Sequence, residues 1–360
     1  MISDVNSIHG FFVTYKQLVE ENRVFANIDK WANCSNIDIY IDMNSATKEL
    51  FYNKPLVNGG AEVASTLLNL CGHYREYYRK FHQCETRFFI IYSINRPKNC
   101  VDIFDEYNSP NIMKQMRDPI IYDMITKACS YLDEICKYIP DVFFIYSDYE
   151  TSVTIYDSID FRQQKHYPSL IISKDPLTCS VVAFSDNCII LRPHKSMVSG
   201  GNYKIDKSYF IKQKEIMPHI IHEYTNKNLP IYRELSPKFI PVIFSLCGLK
   251  KRNISKLLNI NEAVTSIYNG IQDGSIVNGY NHIELLYDAL RIEFFGVSKK
   301  EIFDRYVMMD MITQHNTMVN ELSLGVDEYD FKVVNVEDPE RVHFLNNTEF
   351  KNCPIYLDRL

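Results

Sequence analysis

The stretch that decides the fold is Ile37-Asp38-Ile39-Tyr40-Ile41-Asp42, which alternates apolar and polar residues and ends on an acid. β-branched and aromatic residues in this alternation predict a strand, with the Asp42 carboxylate at its carboxyl tip. Acids follow two further predicted strands in the same way: Glu150 comes after 142–146, and Asp175 comes after 169–173. Three acids at strand exits are the most informative feature of the chain, although an acid in such a place is also an ordinary helix cap or turn former.

The pattern on either side of this strand predicts an α/β fold. Apolar segments of strand length alternate with segments of helical periodicity, which indicates a mainly parallel sheet with helices on both faces. In such sheets, sites form beyond the carboxyl ends of the strands. The predicted strands are 37–42, 87–92, 142–146, 169–173 and 189–192, and the helices between them are 61–81, 112–138 and 150–159.

The second half of the chain has a helical pattern. A break at Ser199-Gly200-Gly201-Asn202 predicts a domain boundary near residue 200. The tail at 321–360 is irregular and contains acids. The predicted helices after the break are 206–226, 236–247, 253–270, 280–292 and 298–315.

Composition and charge set limits on function. The chain has 360 residues, of which 46% are hydrophobic and 23% charged, which is typical of a packed globular protein of one or two domains. Its net charge of −6 means that nucleic-acid binding has to depend on a local basic patch. Ten cysteines, no secretory leader and no apolar run long enough to span a membrane favour a reduced protein of the cytoplasm.

Two segments are candidate nucleic-acid contacts. Residues 74–81 interleave bases with rings, as single-strand binders do, and Lys250-Lys251-Arg252 forms a basic cluster in a predicted turn. An amphipathic surface helix and a solvated turn give the same two patterns. The candidate contacts are Arg75, Tyr78, Arg79, Lys80, Lys250, Lys251 and Arg252.

The order of these motifs resembles that of the PIN-like 5′ nucleases, the superfamily of flap endonucleases and RNase H-like phage 5′→3′ exonucleases. Asp42-Met43-Asn44-Ser45 resembles the exit of the family's first strand, and 148–153 and 172–177 stand where the family has two later acidic segments. Residues 236–240 and 248–254 resemble the family's helix-turn-helix. The likeness covers roughly residues 37–270.

The resemblance implies a domain plan and a chemistry. It implies a PIN-like α/β domain at 1–200, a helical region with the helix-turn-helix segment at 201–295, and a helical or irregular extension at 296–360. The family hydrolyses phosphodiesters with two divalent metal ions held by a ring of carboxylates.

Departures from the family pattern put this chemistry in doubt. Only Asp42, Glu150 and Asp175 keep an acid at the metal positions, and Arg252 puts a positive charge where the second ion would sit. The resemblance therefore implies no cofactor, or a single weakly bound Mg²⁺ or Mn²⁺ on those three acids. The family's other acidic positions are Ser93, Ser152, Val153, Leu177 and Leu249 here.

Three functions remain open from the sequence. The first is a catalytically inactive or crippled nuclease-like protein, a pseudoenzyme that binds DNA, RNA or protein in a replication, transcription or packaging assembly. The second is a one-metal or Mn²⁺-dependent 5′ nuclease that uses Asp42, Glu150 and Asp175, with other acids filling gaps: Asp102, Asp105, Asp148 or Asp157. The third is a purely structural interaction or virion protein. Phage members of the family and a chain rich in Asn, Ile, Lys and Tyr suggest a viral source.

Overall fold

A computed structural model describes most of the chain between residues 34 and 318. The described residues are 34–47, 59–94, 97–107, 119–163, 168–185, 187–197, 203–225, 230–249, 252–279, 283–290 and 296–318, with 350 and 355.

A six-stranded sheet with the order β3-β2-β1-β4-β5-β6 forms the centre of the fold. The first five strands in sequence pair in parallel, and β6 returns antiparallel beside β5. The register sets Ile41 of β1 between Ile90 of β2 and Ile172 of β4. The strands are β1 (Asn36–Asp42), β2 (Glu85–Ser93), β3 (Val142–Ser147), β4 (Ser169–Ile172), β5 (Cys188–Met197) and β6 (Tyr203–Lys212).

Helices cover both faces of the sheet, as the alternating pattern predicts. The described helices are α1 (Gly59–His82), α2 (Lys98–Ile103), α3 (Pro119–Ile135), α4 (Thr151–Gln163), α5 (Thr178–Phe184), α6 (Gln213–Thr225), α7 (Ile240–Cys247), α8 (Ile260–Gln272), α9 (Ile283–Ala289), α10 (Lys299–Met309) and α11 (Met311–Met318). The predicted fold class, a mainly parallel α/β sheet followed by a helical region, is confirmed.

The two faces of the sheet carry separate hydrophobic cores. Because side chains alternate along a strand, Ile39 and Ile41 pack with α1 and α3, while Tyr40 packs with the helices of the other face. Every residue of β1 from Ile37 onward is buried, as expected of a central parallel strand. None of the described helices is long and apolar enough to cross a membrane.

The largest difference from the predicted elements lies after residue 200. The first third of the predicted helix 206–226 is wrong, because Tyr203–Lys212 forms β6 and helix begins only at Gln213. Tyr, Ile and Phe are frequent in this segment, and these residues favour strand. The sheet therefore continues past the boundary predicted near residue 200, which falls between β5 and β6 in sequence. Residues 252–259 form a loop, so the helix predicted to begin at 253 begins at Ile260.

Candidate functional site

The three strand-exit acids meet at one edge of the sheet. Asp42 is the last residue of β1, Glu150 follows β3, and Asp175 follows β4. Parallel strands end at a common edge, so the fold brings these side chains together. Burial raises the pKa of Asp42 and of Glu150, and the negative charge of nearby Asp175 raises both further.

The carboxylate of Asp42 is buried and accepts hydrogen bonds from hydroxyl groups. Only 1% of the residue is exposed, and its Oδ2 accepts hydrogen bonds from Ser45 Oγ at 2.5 Å and Ser173 Oγ at 2.6 Å. Its Oδ1 accepts a hydrogen bond from the backbone N–H of Ser45 at 3.0 Å. Burial raises the pKa of Asp42, and the hydrogen bonds from the two serines oppose that rise.

Glu150 lies between a phenol and a guanidinium. The Tyr107 hydroxyl donates to its Oε1 at 2.7 Å, and Arg252 Nη2 donates to its Oε2 at 2.7 Å. Burial raises the pKa of Glu150, whereas the positive charge of Arg252 lowers it. Tyr107 is fully buried, and burial also raises the pKa of its phenol, so the phenol stays protonated and acts as a hydrogen-bond donor to Glu150.

Arg252 joins Glu150 to Asp175. The same Nη2 that contacts Glu150 also donates to Asp175 Oδ2 at 2.7 Å, and only 8% of the arginine is exposed. Burial lowers the pKa of the guanidinium, but the charges of Asp175 and Glu150 outweigh burial and hold that pKa well above its ordinary value. We refer to Asp42, Glu150, Asp175 and Arg252 as the carboxylate–arginine cluster.

The backbone of the loop after α7 fixes the position of Arg252. Gly248 has φ of +67°, and a Cβ atom there would lie 2.4 Å from the carbonyl oxygens of Ile254 and Ser255. Such a close backbone approach in the left-handed region requires glycine. An isolated antiparallel bridge between Leu249 and Ile254 closes the turn. The turn therefore directs Arg252 back toward the sheet edge.

The Asp175 turn has its own supports. Asp175 Oδ1 accepts a hydrogen bond from the backbone N–H of Leu177 at 2.9 Å. Buried Arg192 donates from Nη1 to the carbonyl oxygen of Asp175 at 2.9 Å, and from Nη2 to Glu223 at 2.8 Å. Asp175 is thus held through both its backbone and its side chain.

The residues present do not fit a two-metal centre. Each of the six carboxylate oxygens of Asp42, Glu150 and Asp175 accepts at least one hydrogen bond from the protein. Divalent cations need several charged oxygen ligands, and the cation that contacts two of these acids is a guanidinium. Within the described part of the chain, no group of three or more His, Cys, Asp or Glu side chains is arranged to hold a metal ion.

The other positions that the resemblance assigns to metal ligands serve packing or local hydrogen bonding. Val153, Leu177 and Leu249 are buried in the hydrophobic core that contains Tyr40, on the face of the sheet opposite α1 and α3. Ser93 is held by neighbouring polar groups: its hydroxyl accepts a hydrogen bond from Thr151 Oγ1 at 2.9 Å. The candidate gap-filling acids Asp102, Asp105 and Asp148 are exposed.

The candidate nucleic-acid contacts are dispersed. Arg75 and Tyr78 are buried, so their prediction as surface contacts is wrong: Arg75 donates to the carbonyl oxygens of Thr86 and Pro140. Arg79 is exposed and pairs with Glu85, and Lys80 is exposed. Arg252 is likewise corrected, because its guanidinium lies inside the cluster. Lys250 and Lys251 lie outside the described residues.

Sequence reasoning missed three residues of the site: Ser45, Ser173 and Tyr107. Ser45 follows Asp42 by three residues, a spacing at which an acid accepts a hydrogen bond from the backbone of a following helical turn, so a local signal existed. Ser173 stands at a strand exit and could have been found in the same way as Asp175. Tyr107 is brought to Glu150 from 43 residues away, and no local pattern marks it.

Comparison with known proteins relates the chain to solved structures. No family model and no curated protein matches the sequence. The structure is similar to that of bacteriophage T5 5′-exonuclease with bound zinc, with a TM-score of 0.55 and 13% identity. It is also similar to a bacteriophage T5 flap endonuclease complex with DNA and metal ions, with a TM-score of 0.51 and 12% identity. Both alignments cover 82% of this chain and 96% of the phage chain. The chain therefore has a PIN-like 5′ nuclease fold, as the resemblance predicted.

Proposed function

We propose that this chain uses the PIN-like 5′ nuclease fold for binding and does not hydrolyse phosphodiesters. The observation that carries the proposal is the contact of one guanidinium nitrogen, Arg252 Nη2, with Glu150 and Asp175 at 2.7 Å each. The protein supplies its own cation to the acids that the resemblance assigns to metal ions.

A guanidinium cannot replace the metal ions in the chemistry. Two-metal hydrolysis needs cations that bind both the attacking and the leaving oxygen. Arginine offers N–H donors only and has no coordination position for a water molecule. Arg252 therefore offsets one negative charge of the Glu150 and Asp175 pair without activating water. Asp42, whose oxygens accept three hydrogen bonds, has no basic partner among these contacts.

The binding partner that we propose first is DNA. A structurally similar phage flap endonuclease was solved in complex with DNA, and the fold is shared over most of this chain. We further propose that the chain is a component of a replication, transcription or packaging assembly, of viral origin, in the cytoplasm of its host or in a virion. The free thiols of the described cysteines agree with a reducing compartment.

A nuclease assay tests the proposal. Purified protein is incubated with 5′-flapped, nicked and single-stranded DNA in Mg²⁺ and then in Mn²⁺, beside the Asp42→Ala and Asp175→Ala variants prepared in parallel. We expect equal background cleavage in all three preparations. Turnover by the wild type that either substitution abolishes would reject the proposal.

The second candidate is a one-metal or Mn²⁺-dependent 5′ nuclease, and the convergence of Asp42, Glu150 and Asp175 favours it. It requires the Arg252 guanidinium to leave two carboxylates, and it predicts Mn²⁺-dependent turnover that Asp42→Ala removes. The same assay thus decides between the first two candidates.

A DNA titration decides between binding and a purely structural role. Fluorescence anisotropy with flapped duplex DNA at low and at moderate salt should show binding that weakens as salt increases, because phosphate contacts release counterions. Absence of binding at low salt would overturn the DNA proposal and favour a protein partner.

A further inference from the structure

Helix α10 holds the loop that carries Arg252. Arg305 of α10 donates from Nη1 to the carbonyl oxygen of Ser255 and from Nη2 to Ser255 Oγ, both at 2.8 Å. Its Nη2 also pairs with Glu301 one turn away, so the guanidinium is oriented from two sides. Ser255 lies three residues after Arg252, and the loop 252–259 is therefore fastened close to the cluster.

The loop 252–259 forms one wall of the cluster. Helix α11 holds the opposite wall, residues 97–107. Gln314, of which 1% is exposed, accepts hydrogen bonds on Oε1 from Asn99 Nδ2 at 3.0 Å and from the Cys100 thiol at 3.7 Å. Its Nε2 donates to the carbonyl oxygen of Met308 at 3.0 Å. Asn99 and Cys100 belong to α2, which continues through the turn 104–107 to Tyr107, the donor to Glu150.

The loop 252–259 and the turn 104–107 also contact each other at the protein surface. Asn253 Nδ2 donates to the carbonyl oxygen of Glu106 at 3.3 Å and to Glu106 Oε2 at 3.2 Å. Asn253 has φ of +61°, a left-handed conformation that asparagine tolerates better than most residues. The contacts thus form a closed ring: α10, the loop 252–259, the turn 104–107, α2 and α11.

We infer that α10 and α11 form a clasp that keeps the carboxylate–arginine cluster closed. Arg305 and Gln314 are its buried anchors, and the Asn253–Glu106 contact is its exposed junction. The walls that bring Arg252 and Tyr107 to Glu150 are held by the clasp rather than by the ion pairs alone. This inference does not depend on whether the protein hydrolyses DNA.

Hydrogen–deuterium exchange of variants tests the clasp. Arg305→Ala should accelerate amide exchange in 252–259 by about tenfold or more, because it removes two charge-assisted hydrogen bonds from that loop. Gln314→Ala should accelerate exchange in 97–107 instead. Ser255→Ala removes one contact of Arg305, and Asn99→Ala removes one contact of Gln314. They should give smaller increases in exchange in 252–259 and in 97–107, respectively.

Lys300→Ala is the matched control, because Lys300 is an 87% exposed side chain of α10 that pairs with Asp304 on the same helix. It should change neither segment. Exchange in β1, residues 36–42, reports the stability of the whole fold. The inference would be overturned if Arg305→Ala and Gln314→Ala left exchange in 252–259 and in 97–107 unchanged. It would also be overturned if these variants accelerated exchange in 36–42 as much as in those segments. Should the two anchor variants not fold, the Ser255→Ala and Asn99→Ala results decide.

Discussion

Replacing Arg252 with methionine is the sharpest test of the cluster's energetics. Methionine retains much of the apolar stem but removes the positive charge that buried Glu150 and half-buried Asp175 share. Breaking a buried pair on one side costs about 3–5 kcal/mol, mostly because a charge stays buried and unpaired. Since a fifth of the Asp175 side chain is exposed, we expect the lower end, about 3 kcal/mol of unfolding free energy. Urea unfolding at neutral pH, followed by circular dichroism, measures the loss.

A neutralised background separates charge from packing. In a Glu150→Gln, Asp175→Asn protein, the same Arg252→Met substitution should cost less than about 1 kcal/mol, because no carboxylate is left unpaired. Lys256→Met is the control, since Lys256 is an exposed lysine of the same loop and should change stability by no more than about 0.5 kcal/mol. If Arg252→Met lost no more stability than the control, Arg252 would not compensate a buried charge. The same conclusion would follow if Arg252→Met lost as much stability in the neutralised background as in the wild type.

Two further substitutions test the environment of the cluster. Because burial raises the folded-state pKa of Asp42 above its ordinary 3.8, the stability that Asp42 contributes is complete below that value and is lost as pH rises through the folded pKa. The stability of Asp42→Asn should therefore increase relative to that of the wild type as pH rises from 3 to 7. Urea unfolding across this range measures the difference, and a difference that stays constant or changes in the opposite direction would contradict this expectation. Gly248→Ala should cost about 2–4 kcal/mol, because its Cβ meets two backbone oxygens at 2.4 Å, whereas Gly274→Ala, also at positive φ but in open space, should cost about 1 kcal/mol. Equal losses in these two variants, measured by thermal unfolding, would show that the tight turn is not the cause.

The meeting of the three acids could be predicted because parallel strands end at a common edge. Asp42, Glu150 and Asp175 each follow a segment with strong strand character, so local pattern and topology were sufficient. The contact of Arg252 with two of them depends on how the loop after α7 folds back over the sheet. That geometry rests on the Gly248 turn and on Arg305, which is 53 positions further along the chain than Arg252.

The basic and aromatic segment at 74–81 shows where periodicity fails. The pattern indicates which residues share a face of α1, but it does not say which face is buried when rings and bases occupy the same one. The guanidinium of Arg75 contacts the carbonyl oxygens of Thr86 and Pro140 and the ring of Phe88, and all three partners lie outside α1. Arg75, a basic residue between tyrosines, is therefore part of the buried interior against which α1 packs.

Mn²⁺ binding tests most directly the claim that a guanidinium takes the place of metal ions. The number of bound Mn²⁺ ions, counted by electron paramagnetic resonance, is compared between the wild type and the Glu150→Gln, Asp175→Asn double variant. We expect the same number of ions on both proteins. If one or two Mn²⁺ ions bound the wild type and were lost from the double variant, the acids would hold metal ions in spite of Arg252.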